Sequence, residues 1–313
     1  MSMPKQVNIV EVGPRDGLQN EHQIVTPEVK LALIHRLVKS GLQVVEVTGF
    51  VHPLWVPQLA DAEQVMAAMK PADGVRFPVL VPNMIGLDRA LSVGASEIAV
   101  FTAASEPFNQ KNINCSIDES IERFKPVMER AKQEYMRVRG YISCVLGCPF
   151  QGEVPVTDVV KVAKQLDAIG VDEISLGDTI GVGTPGRARQ MVKTLAETIA
   201  IDRLAVHFHD TYGQALANIL ACLELGISTV DASVAGLGGC PYAPAATGNV
   251  ATEDVVYMLH GMGIETGVDL EALVHAGRFI SDALGRTNAS RVGRAFRSQQ
   301  TTDTGTKHGY RIG

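Results

Sequence analysis

The sequence predicts an α/β protein, a closed (β/α)8 barrel of the TIM type carrying a C-terminal helical extension. Three observations lead there: eight short apolar or β-branched runs, helical segments between them, and polar residues gathered where several runs end. The runs are 7–12, 44–48, 76–81, 97–101, 138–143, 173–176, 204–208 and 229–234. Each has the length of a strand, and helical periodicity recurs between them. Such alternation implies parallel pairing. Eight units within 313 residues suit a barrel better than an open doubly wound sheet.

After the first strand, residues 27–40 set Val29, Leu33, Leu37 and Val38 on one stripe, with Thr26 as N-cap and Gly41 as the stop. Further helices are expected over 59–69, 118–134, 157–169, 185–199, 215–225 and 252–262. The third crossover is short, with only 82–94 to make it. A last helix over 270–284 has no strand after it and is expected to cover one end of the barrel. The chain thus divides into a barrel over 5–265, a helical extension packed on it over 266–296, and a polar tail over 297–313 that reads as mobile.

Hydrophobic residues make up 46% and charged residues 20%, which supports a large core and excludes a disordered body. A net charge of −6 argues against a nucleic-acid binder. It leaves room for an anionic small molecule, which a metal and a few arginines can hold locally. Five cysteines, an odd number without a CxxC pair, fit neither a disulfide framework nor a structural zinc site and suit a reducing compartment. The first strand begins by Val7, leaving no space for a secretory signal, and no apolar run approaches the roughly 20 residues of a membrane helix. A cytoplasmic protein is expected, with neither nucleic acid nor membrane as partner.

Barrel active sites lie at the carboxyl ends of the strands. Here strand one runs into Gly13-Pro14-Arg15-Asp16-Gly17-Leu18-Gln19, strand two carries Glu46, and strand six ends at Asp178. Strand seven ends in His207-Phe208-His209-Asp210. Strand eight leads to Gly236-Leu237-Gly238-Gly239-Cys240-Pro241, with Asn249 and Glu253 beyond. Residues two apart on a strand share a face, so His207 and His209 converge while Val206 and Phe208 turn toward the helices. The pair is either two satisfied core histidines or two metal ligands. With Asp16 as third ligand and Asn249 as candidate fourth, the nitrogen and oxygen donors suit octahedral Mg²⁺ or Mn²⁺, and the residue types also admit zinc. Arg15 either pins the loop by pairing with Asp16 or acts on substrate. Glu46 and Asp178 need partners if buried, and either could hold Arg15 or a ligand histidine. Cys240, among glycines, reads either as a flexible, partly exposed thiol or, like most free cysteines, as an inert one, and its setting alone favours the second. Gly181-x-Gly183-x-x-Gly186 imitates a dinucleotide loop, but no acidic residue ends a strand about 20 residues on. Neither nicotinamide nor flavin is expected.

Together these stretches resemble the 3-hydroxy-3-methylglutaryl-CoA lyase family over about residues 7–284. The resemblance is carried by Glu11-Val12-Gly13-Pro14-Arg15-Asp16-Gly17-Leu18-Gln19-Asn20, Lys111-Asn112-Ile113-Asn114-Cys115-Ser116 and Ile174-Ser175-Leu176-Gly177-Asp178-Thr179-Ile180-Gly181. It extends through His207-Phe208-His209-Asp210-Thr211-Tyr212-Gly213-Gln214 and Ser233-Val234-Ala235-Gly236-Leu237-Gly238-Gly239-Cys240-Pro241-Tyr242. The first and fourth stretches are similar to a pattern of the wider pyruvate carboxyltransferase-like metallolyase superfamily, which includes Claisen-condensing synthases. The last resembles the lyase family's own cysteine signature.

The resemblance implies a metal-dependent carbon–carbon lyase that converts 3-hydroxy-3-methylglutaryl-CoA to acetoacetate and acetyl-CoA, a step of leucine degradation and ketone-body formation. It implies Mg²⁺ or Mn²⁺ on Asp16, His207, His209 and Asn249. Arg15 and Cys240 would be catalytic together with Asp16 and His207, with Gln19, Glu46, Asp178 and Glu253 in support. The general base stays open among Asp16, Glu46, Asp178 and His207. An acyl-CoA substrate, a homodimer and a bacterial-type member without presequence are implied too. A related 3-hydroxy-3-alkyl acyl-CoA is an alternative substrate. A synthase running the bond formation in reverse is a second reading, weakened by the chain's ending soon after the barrel.

Overall fold

Strand β1, Asn8–Glu11, pairs in parallel with β9, Thr229–Ala232, on one side and β2, Val44–Val45, on the other. β3, Thr48–Gly49, pairs with β4, Val79–Leu80. Parallel pairing then runs through β5, Glu97–Ala103, β6, Arg137–Ser143, β7, Glu173–Asp178, and β8, Leu204–Phe208, back to β9. β2 and β3 are halves of one barrel strand interrupted at Glu46 and Val47. The N–H groups of these two residues still bond Glu11 O at 2.9 Å and Pro78 O at 3.1 Å, one on each side. The sheet therefore closes on itself, and its eight barrel strands fall where the alternation places them. The computed structural model describes residues 3–70, 72–239 and 248–296; the tail over 297–313 and Cys240 lie outside these.

Helices α1 Pro27–Lys39, α2 Ala62–Ala68, α3 Met84–Ser92, α4 Glu106–Ile113, α5 Ile117–Gln133, α6 Val156–Ala168, α7 Pro185–Leu195, α8 Ala215–Leu223 and α9 Thr252–Gly261 accompany the strands. α10, Leu270–Ala283, and α11, Arg291–Ala295, follow. α10 packs on α1, on α9 and on the turn Val234–Gly236, so it braces one of the loops at the barrel mouth. The short third crossover is a true helix, α3, because the Asn83 side chain caps it by accepting the Gly86 N–H at 3.0 Å. α4 carries no periodic signal, since only Phe108 and Asn109 of it are buried. Local chemistry makes it: Ser105 Oγ accepts the Phe108 N–H, and left-handed Asn114, at φ 52°, ends it. Thr26 holds the N-cap position of α1 by its extended backbone, but its side chain makes no cap bond.

Strand residues alternate between two environments. Outward-facing Val45, Val47, Ile98, Val100, Val206 and Phe208 join the helices in one aliphatic core, where each buried side chain contributes roughly 1.5–3 kcal/mol. Among the described residues the interior holds small apolar clusters, Val10 with Val12 and Val44, and Leu80 with Ala99 and Tyr141. Ion pairs fill the rest: Arg139 lies 2.7 Å from Glu173 and 2.6 Å from Asp231. An interior of this kind keeps charged groups in fixed places directly beneath the mouth.

Candidate metal centre at the barrel mouth

β1 ends at Glu11, and the chain then makes one π-helical turn, Gly13–Gly17, that presents Arg15 and Asp16. Arg15 is buried. Its Nε and Nη2 donate to the two oxygens of Glu46 at 2.9 and 3.1 Å, and its Nη1 donates to Asp16 Oδ1 at 2.7 Å. Tyr141 closes the underside, its hydroxyl donating to Glu46 Oε2 at 2.6 Å and its ring centroid 5.5 Å from the guanidinium. Arg15 thus pins the loop and also lines the cavity.

His207 and His209 point inward from the end of β8 and the bridge that follows it, where His209 pairs with Asn249. Their ring centroids are 5.7 Å apart. His207 Nδ1 bonds Asp231 Oδ2 at 3.1 Å, so Asp231 takes the Nδ1–H and leaves Nε2 facing Asp16 Oδ2 at 3.7 Å. Asp231 is itself held by Arg139 at 2.6 Å and by the Ser175 hydroxyl at 2.8 Å. Ligand atoms of Asp16, His207 and His209 lie within 4.8 Å of one another, the separation at which one cation can be shared. Buried His209 Nδ1 has no hydrogen-bond partner among the described residues, an open lone pair that suits a metal better than a packed core.

The electrostatics agree. Burial would raise the Asp16 carboxyl, but Arg15, with His207, His209 and the Asn249 amide, outweighs it and holds the group well below the usual range. Burial pushes His209 down to about 4, aided by His207 and opposed by Asp16, so this imidazole is neutral near pH 7 and keeps a lone pair. For His207 burial acts the same way. There the bond to Asp231 and the charges of Asp16 and Asp231 prevail and raise it.

The other candidates from the sequence divide by the face they occupy. Gln19 lines the same cavity as Arg15, Asp16, His207 and His209. Asn249 Nδ2 donates to Asp16 Oδ2 at 2.8 Å and to Leu237 O at 3.2 Å, so any ligand role belongs to its side-chain oxygen. Glu46 is fully buried below Arg15. Asp178 does not face the cavity: it accepts the Gly183 N–H at 2.8 Å, and burial raises it to about 6. The dinucleotide-like glycine loop is thus folded around a carboxylate rather than open to a phosphate. Glu253, raised by burial to about 8, lies under the Val234–Gly236 turn and accepts the Ala235 N–H at 2.9 Å. Gly239, the residue before Cys240, lines the cavity.

Two residues escaped the sequence reading, Asp231 and Tyr141. A search for polar residues at strand ends could not find them, because Tyr141 is inside β6 and Asp231 inside β9. The available signal was parity: in β6 the polar residues Arg137, Arg139, Tyr141 and Ser143 alternate with Val138, Gly140 and Ile142.

A parallel α/β barrel whose mouth sets a carboxylate and two imidazoles beside a buried arginine defines an enzyme of the metal-binding barrel class. The family model described as HMGL-like matches residues 6–280. The mitochondrial hydroxymethylglutaryl-CoA lyase of Arabidopsis thaliana is 58% identical over 301 residues, which are 96% of this chain and 64% of that protein's length. The crystal structure of hydroxymethylglutaryl-CoA lyase from Pseudomonas aeruginosa is 55% identical and superposes with a TM-score of 0.93, over 95% of this chain and 99% of that one. An HMG-CoA lyase from Acinetobacter baumannii, solved with coenzyme A and 3-methylmalate, is 33% identical with a TM-score of 0.90, over 96% and 99% of the two chains. The chain belongs to the HMGL-like family.

Proposed function

We propose that this chain is a carbon–carbon lyase that cleaves 3-hydroxy-3-methylglutaryl-CoA to acetoacetate and acetyl-CoA. The observation that carries the reading is the convergence of Asp16, His207 and His209 beside Arg15 in one cavity of about 490 Å³. That convergence occurs in a chain 58% identical to a protein named for this activity. Asp16, His207, His209 and the side-chain oxygen of Asn249 would hold Mg²⁺ or Mn²⁺. Such an ion supplies Lewis acidity that makes the substrate's tertiary hydroxyl easier to ionise.

The protein's own groups account for the rest. Cleavage needs a base for the hydroxyl proton, a positive site for the departing thioester enolate, and an acid for its carbon. Both oxygens of Glu46 are engaged by Arg15 and Tyr141, and Asp178 faces away, so Asp16 and His207 remain as bases. Three of the five guanidinium N–H groups of Arg15 bind Glu46 and Asp16, leaving one on each terminal nitrogen for the thioester oxygen. A fixed cation there favours the enolate over the carbonyl. Cys240 is the acid in this reading, supported by the place of Gly239 on the cavity wall. The outer cavity is lined by Trp55, Phe108 and Ile113 with Lys111 and Arg123, a mix suited to the pantetheine and phosphates of an acyl-CoA. The family likeness extends the reading to a homodimer, and the cysteine usage supports a reducing, cytoplasmic setting. Among the described residues no helix is long and apolar enough to cross a membrane.

Chelated protein is expected to release no acetoacetate from this thioester, and Mn²⁺ or Mg²⁺ should restore release. Full turnover without metal would sink the metal reading. Inactivity on this thioester with cleavage of a longer 3-alkyl analogue would reassign the substrate. Asp231→Asn removes the carboxylate that orients His207 and should weaken Mn²⁺ binding about 10–100-fold. Unchanged affinity in a folded variant would reduce Asp231 to a partner of Arg139.

A further inference from the structure

Glu11 ends β1 fully buried, outside the ligand triad, and makes no ion pair among the described residues. Its Oε1 accepts the N–H groups of Gly13 and Val234, both at 2.8 Å, and its Oε2 accepts the Thr252 hydroxyl at 2.6 Å. A polar group buried this deeply is tolerated only when bonded, so each donor marks a place where segments are obliged to meet. The segments are the Gly13–Gly17 turn with Arg15 and Asp16, the Val234–Gly236 turn, and the start of α9. They fit closely: a Cβ added to Gly17 would stand 2.7 Å from Leu237 Cβ, and one on Gly13 2.5 Å from Glu11 Oε1. Asn249, donating both to Leu237 O and to Asp16 Oδ2, ties the spacing of the two turns to the donor set.

We propose that Glu11 is a positioning residue whose carboxyl holds the Gly13–Gly17 turn against the Val234–Gly236 turn, at the spacing that lets Asp16 join His207 and His209 around a cation. The inference rests on the metal reading given above. Reach and acceptor geometry carry the role, and negative charge does not. A glutamine can keep its oxygen on the two backbone N–H groups and turn its amide toward the Thr252 hydroxyl. An aspartate is one methylene short and cannot span all three segments.

The experiment measures Mn²⁺ affinity by the EPR signal of the free ion for wild type, Glu11→Gln, Glu11→Asp and Thr252→Val, each checked for native circular dichroism. Glu11→Gln should stay within about threefold of wild type, and Glu11→Asp should bind about 10-fold or more weakly, the size expected for a partner one layer behind a ligand. Thr252→Val should fall between them. With Mn²⁺ saturating, Glu11→Asp should lose kcat while KM for the thioester moves little. A folded Glu11→Asp with wild-type affinity would overturn the proposal, as would a Glu11→Gln as weak as Glu11→Asp. Should Glu11→Asp not fold, Thr252→Val decides, and unchanged affinity there overturns it. No Mn²⁺ binding by wild type would overturn the metal reading and this inference with it, a result distinct from the others.

Discussion

Arg15→Met is expected to lose turnover by about 10²–10³-fold or more while still binding thioester and metal. The side chain removed places a fixed positive charge on the cavity wall that can follow charge from the reacting carbon to the thioester oxygen. Its position does not depend on substrate, because Glu46 and Asp16 hold it from two sides and Tyr141 lies beneath. The assay should be run with Mn²⁺ saturating and at about pH 8, because Arg15 also depresses the Asp16 carboxyl. A group with a depressed pKa is lost as pH falls through that value. Removing Arg15 lets the value rise, so the variant should fail at a higher pH than wild type on acidification. Near-normal kcat with a raised KM would instead make Arg15 a substrate anchor.

Cys240→Ser is expected to lose several orders of magnitude in rate with metal affinity unchanged. The exchange is nearly isosteric, yet a hydroxyl is a far weaker acid than a thiol of pKa about 8.5, and the departing carbanion needs a proton at its carbon. Alkylating agents should inactivate wild type, and substrate should protect it. The other four cysteines, Cys115, Cys144, Cys148 and Cys222, are buried and serve as controls whose replacement leaves most activity. Label found on one of those, or a fast Cys240→Ser, would move the proton donor elsewhere, to His207, Glu253 or a water.

The barrel was legible because closure imposes a rhythm. Strands buried on both faces are rich in apolar and β-branched residues, and the crossovers between them are helices, so eight runs could be read in order. The convergence of the histidine pair was legible for a similar reason: two histidines two residues apart on one strand are forced onto one face whatever surrounds them. Asp16 and Arg15 were found by their place after a strand, and the cysteine by resemblance. α4 was not legible. Its cap at Ser105 and its stop at Asn114 are single-residue effects with no periodic footprint.

Assignments of role behaved differently. Glu46 and Asp178 look alike in sequence, a buried acid near a strand end. Yet Glu46 meets Arg15 inside the barrel, and Asp178 turns outward to the Gly183 loop. Asp231 and Glu11 were given no role by the sequence, and each acts on residues more than twenty positions away: Asp231 on His207, Glu11 on Val234 and Thr252. Patterns along the chain specify which face a side chain takes, because backbone periodicity is local. Which donor a buried carboxylate meets is a property of strands brought side by side, and that information exists only once the barrel has closed.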